Sequence, residues 1–242
     1  MHLDLATTSM LAGMALNETP DLSTLPIDEA RLVFSEINRS MPPGPQNVVS
    51  NDLEIPVDGA SISARVLTPS SSAKRLITYF HGGGWVIGNI DDYDAVGRHL
   101  AEACQSVVVM VDYRKAPEHP FPTPVNDCYS ALEWIDKNRA TVGGDSLPLV
   151  VAGDSAGGNL ATVVAIRARD EDGPHIDLQA LVYPVTDGAM SGSSWGDDDK
   201  QLFLTSDLMA HFWAHYADPA SRLDPMASPL HAKSLHNLPP AV

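Results

Sequence analysis

Apolar positions along the chain change their spacing once, and the change divides it into two kinds of structure. Ala30, Phe34, Ile37 and Met41 recur at helical intervals, and Pro42, Pro43, Gly44 and Pro45 then end the pattern, since prolines cannot donate the helical hydrogen bond. A helical preface over residues 1–45 is predicted. From about residue 52 short β-rich runs take over: Ser61 to Leu67, Leu76 to Phe80, Val107 to Val111, Leu149 to Ala152 and Ala180 to Tyr183. The last four are almost continuously apolar, as expected of strands covered on both faces. Helical patterns separate them: Val96, Leu100 and Ala103; Val125, Cys128, Leu132 and Ile135; and Leu160, Val163 and Val164. That alternation predicts an α/β fold with a mostly parallel central sheet wrapped by helices.

Residues 187–200 read as loop, with Asp197, Asp198, Asp199 and Lys200 as a solvated run, and the Thr205-Ser206-Asp207 stretch predicts the start of a further helix. No repeat of solenoid length is present.

At 242 residues and 44% hydrophobic content the chain can bury one substantial core. Its formal charge of −16 repels phosphate backbones and anionic membrane faces, so nucleic acid is not an expected partner. Cys104 and Cys128 fall in helical stretches and are expected as buried thiols rather than a disulfide framework. The start, Met-His-Leu-Asp-Leu-Ala-Thr-Thr, lacks the basic and apolar regions of a signal peptide, and no apolar run reaches the length of a membrane span. A cytoplasmic protein is the expectation, with a homodimer left open.

Two glycine-rich motifs carry chemistry. Gly153-Asp154-Ser155-Ala156-Gly157 satisfies G-x-S-x-G directly after a predicted strand and before a predicted helix, the context in which a serine is lifted above a sheet edge as a nucleophile. His81-Gly82-Gly83-Gly84-Trp85 follows another strand, where bare backbone can aim N–H groups at a developing oxyanion; each such donor is worth about 3–4 kcal/mol. Gly82, Gly83 or Gly84 would supply two donors, and Ala156 at the following helix N-terminus a third.

HGGGW, Asp112-Tyr113-Arg114-Lys115-Ala116-Pro117-Glu118-His119-Pro120-Phe121-Pro122 and GDSAGGN, in that order, resemble the hormone-sensitive lipase family, the bacterial family IV carboxylesterases. Tyr183-Pro184, Phe203-Leu204-Thr205, Ser228-Pro229 and Leu238-Pro239-Pro240 extend the resemblance. It implies an α/β-hydrolase core with a helical cap, and hydrolysis of short-acyl, small-molecule esters through an acyl-enzyme, without cofactor or metal. Residues 1–45 and 187–224 would form the cap, 46–186 the core, and 225–242 the start of a C-terminal core portion cut short. Ser155 would be the nucleophile; Gly82, Gly83 and Ala156 match the oxyanion positions, with Gly84 adjacent. Trp85, Phe203 and Trp213 are candidate pocket walls, although periodicity alone would make Trp213 a helix-core residue.

In the family the triad acid and histidine follow the Leu-Pro-Pro-Ala strand, and this chain's last residue, Val242, lies within that strand. The expectation is therefore that these 242 residues belong to a longer working enzyme. The alternatives are a second chain that completes the triad, or a non-catalytic, ligand-binding relative. No internal histidine, His81, His119 and His175 included, matches the position of the base. Asp207, His211 and His215 share a helix face, but the glutamate of H-E-x-x-H is missing and no metal is expected. Asp154 is expected to brace the turn or the HGGG loop, and Glu118 and Asp127 to act structurally.

Overall fold

The computed structural model describes residues 3–16, 20–196 and 203–242. Its six-stranded sheet has the order β1-β2-β4-β3-β5-β6. β1 (Val49–Val57) and β2 (Ala60–Thr68) form an antiparallel hairpin, and β2 pairs antiparallel with β4 (Ser106–Val111). β4, β3 (Arg75–Phe80), β5 (Leu149–Asp154) and β6 (Leu178–Val182) run parallel. β1 escapes the hydrophobic pattern because it is an edge strand with a single fully buried side chain, Ile55. The Asp58-Gly59 turn, with Gly59 at φ 69°, joins it to β2 as a two-residue hairpin connection requires.

β4 shows why the parallel strands read as unbroken apolar runs. Val107, Val109 and Val111 pack into one core cluster, while Val108 and Met110 pack into the other on the opposite face. The first face is covered by α4 (Thr123–Lys137) and α5 (Ala156–Asp170), whose Cys128, Leu132, Leu160 and Val164 belong to that cluster. The second is covered by α3 (Asp94–Ala103) through Ala101. The apolar face expected for α3 is corrected: Val96 is 42% exposed and Ala103 exposed, and the helix buries Gly97 and Ala101. A Cβ on Gly97 would lie 2.6 Å from Leu67 Cδ1, so small residues set this close approach and larger ones are left outside. Cys104, expected in the interior, is exposed at the end of α3, whereas Cys128 is buried. β6 is also less covered than its sequence predicted, Val182 being 48% exposed.

α1 (Leu5–Leu16), which the spacing did not single out, precedes α2 (Ile27–Arg39), which it did. Arg31 ties α2 to the core: its guanidinium donates to Val86 O and Ala116 O at 2.9 Å each and to both Glu118 oxygens at 2.7 Å. Glu118 is thus an anchor for the N-terminal segment, as its structural reading implied. α6 (Ser206–Tyr216) begins at Thr205, whose Oγ1 accepts from Leu208 N at 3.1 Å. The Asp197–Lys200 run lies outside the described residues. Among the described residues no helix is long and apolar enough to cross a membrane.

The chain leaves β3 for β4 on one side and returns to β5 on the other, so a crevice opens at their carboxyl ends. Phe80 pairs with Gly153 across β3 and β5, which brings the two glycine-rich motifs out of the sheet side by side.

Candidate active site

Ser155 sits at the junction of β5 and α5 with φ 51° and ψ −116°, a conformation costing on the order of 1–3 kcal/mol for a residue with a Cβ. Its N–H donates to Val182 O at 2.9 Å, which fixes the turn to β6. The flanking glycines are dictated by contact. A Cβ on Gly153 would press into the backbone of Gly157, and one on Gly157 would drive into Phe80 O and stand 2.7 Å from His81 O. The Ser155 hydroxyl makes no hydrogen bond with any described residue.

Opposite the serine, the HGGGW loop is pinned by Asp154. Asp154 Oδ1 accepts from Tyr79 OH at 2.7 Å and from Gly82 N–H at 3.0 Å, while Oδ2 accepts from Tyr93 OH at 3.3 Å. Burial first, and the Asp154 charge second, push the Tyr79 and Tyr93 phenols well above their ordinary range, so both remain protonated donors. Asp154 therefore braces the loop, as its sequence position suggested, and it does so through two tyrosines that no motif marks.

That bond corrects one assignment: the Gly82 N–H is already committed to a carboxylate and is not free to meet an oxyanion. The N–H groups of Gly83, Gly84 and Ala156 donate to no described residue. Gly83 and Gly84 adopt φ 105° and 59°, and Gly83 O accepts from Val86 N at 3.0 Å and Ile87 N at 2.9 Å, closing the loop on itself. His81 is buried, its ring stacked on Tyr113 at 4.4 Å and its Nδ1 2.7 Å from Gly82 O, a structural place in the loop.

A cavity of about 570 Å³ opens over Ser155, Gly83 and Gly84. Phe203 lines it, but the two tryptophans proposed as walls do not. Trp85 and Trp213 are fully buried, their rings 4.7 Å apart, and Trp85 stacks on Tyr216 at 4.0 Å. The reason lies in the faces of α6. Leu208, Met209 and Phe212 meet the cavity, and Trp213 and Tyr216, one step further round the helix, enter the core. Leu22 and Phe34 from the N-terminal segment, and Tyr183, Asp187 and Trp195 after β6, complete walls that sequence reasoning missed.

A family profile for the alpha/beta hydrolase fold matches residues 77–242, from inside β3 through both glycine-rich motifs. The chain belongs to that family. Relatives of this alpha/beta-hydrolase-fold chain include carboxylesterase NlhH of Mycobacterium tuberculosis, 43% identical over 157 residues that cover 64% of this chain and 49% of NlhH. Esterase LipI of the same organism is 36% identical over 225 residues, covering 90% of this chain and 70% of LipI. The crystal structure of a thermostable esterase from Pseudomonas putida superposes with a TM-score of 0.92 at 33% identity, covering 99% of this chain and 76% of that one. The matched part thus spans about half the length of NlhH.

The remaining polar candidates in this alpha/beta-hydrolase-fold chain make no hydrogen bond to the Ser155 hydroxyl among the described residues. Asp127 is 1% exposed and grips Arg114 through Nε at 2.9 Å and Nη2 at 2.7 Å, a structural pair. His119 and His175 are exposed. His211 and His215 approach each other edge-on at 4.6 Å on α6, and no group of three metal-ligating side chains occurs among the described residues. His231 Nε2 lies 2.9 Å from Asp187 Oδ1. Asn159, in the GGN portion of the motif, donates to Val185 O at 2.7 Å and Ala227 O at 2.8 Å, tying the cavity wall after β6 to α5.

Proposed function

We propose that the protein is a carboxylic ester hydrolase that works through an acyl-enzyme on Ser155, taking short-acyl esters. The observation that carries this reading is the strained Ser155 lining one cavity with Gly83 and Gly84, whose N–H groups, like that of the adjoining Ala156, donate to no described residue. The names of NlhH and LipI, a carboxylesterase and an esterase, support it.

In this mechanism Ser155 Oγ gives its proton to a base and attacks the ester carbonyl carbon. The carbonyl oxygen, now negative, is held by the three N–H groups. The tetrahedral adduct collapses as the alcohol takes the proton and leaves, and water repeats the sequence on the acyl-enzyme to release the acid. The proposal places the base, a histidine paired with an acid, outside the described residues. Gly82 acts one step back, by locking the loop to Asp154.

The test is covalent labelling with a fluorophosphonate ester. One equivalent should attach, and peptide mapping should place it on Ser155, together with release of chromogen from a short-acyl nitrophenyl ester. Label on another residue, or chromogen release untouched by full labelling, overturns the reading. Ligand binding with neither label nor turnover would instead favour a non-catalytic relative.

A second prediction concerns Asp154. Asp154→Ala removes the carboxylate altogether, so Tyr79 OH, Tyr93 OH and Gly82 N–H all lose their acceptor. A loop displaced by about 1 Å costs on the order of 10²-fold in rate. The expected result is a fall of about that size in kcat with KM changed much less, since the loop meets the transition state rather than the bound ester. A kcat near the parent value would show that the oxyanion loop holds its geometry without Asp154.

A further inference from the structure

The cavity is uneven in charge. Asp154 and Asp187 both line it, and among its described lining residues there is no lysine, arginine or histidine. Asp154 takes three hydrogen bonds, all from neutral donors. Asp187 accepts from Ala189 N–H and lies against His231, contacts that hold its carboxyl below the usual range, the first contributing most. His231 itself does not line the cavity, whereas Asp187 does. The same cavity is lined by aromatic rings, among them Phe34, Tyr93, Tyr183 and Phe203, whose faces attract cations. The protein's formal charge of −16 adds a long-range field of the same sign.

We propose that this cavity selects esters by charge, with Asp187 as a specificity-determining residue: it accepts uncharged and quaternary-ammonium esters and rejects esters that carry a carboxylate. The proposal rests on the ester-hydrolase reading for its chemistry and on the cavity's lining for its selectivity. Like charges about 8 Å apart at an effective dielectric of about 20 disfavour binding by about 30-fold. The attraction for a quaternary ammonium is partly offset by its lost hydration, leaving a preference of about 5- to 10-fold.

The experiment compares three acetate esters of matched shape at one fixed pH. They are neohexyl acetate, its quaternary-ammonium isostere acetylcholine, and the analogue in which one methyl is replaced by a carboxylate. The expected order of kcat/KM is cationic, then neutral, then anionic by about 30-fold below neutral, with the span narrowing in Asp187→Asn. An anionic ester turned over within twofold of the neutral one overturns the proposal, as does a span that Asp187→Asn leaves unchanged. Failure to hydrolyse neohexyl acetate would count against the hydrolase reading instead. The charge proposal is then decided by calorimetric binding of the three parent alcohols, which must follow the same order.

Discussion

Ser155→Ala is expected to remove about 10⁶-fold of ester turnover while moving the melting temperature by no more than a degree or two. The two halves of that expectation have separate origins. The hydroxyl is the only group lost, and it makes no hydrogen bond with any described residue, so folding loses nothing that it supplied. The backbone strain at φ 51° remains, because alanine keeps the Cβ that disfavours this conformation. Ser155→Gly separates the terms further: it is equally dead, and it is more stable than Ser155→Ala by about 1 kcal/mol, because glycine adopts positive φ freely. Residual activity is measured with a chromogenic ester at high enzyme concentration, and stability by thermal melting. Turnover within tenfold of the parent would place the nucleophile elsewhere.

How far the sequence disclosed this site depends on whether a residue's role is local. Gly153, Ser155 and Gly157 act within one turn of chain, so their spacing alone announced the elbow. The strands β3, β4 and β5 were legible for a similar reason, since burial on both faces leaves an unbroken apolar run. β1 was not, because a mostly exposed edge strand has little apolar pattern to show. Roles that depend on distant partners were legible least. Periodicity alone made Trp213 a helix-core residue, which is where it lies, and nothing local to the HGGGW loop shows that the Trp85 ring turns into the core rather than the cavity. Gly82 looked like an oxyanion donor because nothing local reveals that Asp154, 72 positions away in sequence, takes its N–H. Tyr79 and Tyr93 had no motif at all, and only the fold brings them to one carboxylate.

Gly157→Ala carries the largest expected effect on folding. The added Cβ meets Phe80 O well inside van der Waals contact, and stands 2.6 Å from Phe80 C and 2.7 Å from His81 O. All three are backbone atoms at the end of a central strand, so no side-chain rotation relieves the clash. Either α5 moves off the sheet, exposing Leu160, Val163 and Val164, or β3 shifts and breaks its register with β5. Overpacking that cannot relax belongs to the few mechanisms that exceed about 4 kcal/mol, a large part of the stability of an ordinary domain. The variant should therefore be found in the insoluble fraction, or melt about 10 °C or more lower in circular dichroism, with any soluble portion failing to take the fluorophosphonate label. Gly143→Ala is the matched control: its added Cβ meets nothing within 4 Å, so only the local cost of φ 75° applies, about 1 kcal/mol. A Gly157→Ala protein as stable as this control would mean that the close approach of α5 to the end of β3 is not required by the fold.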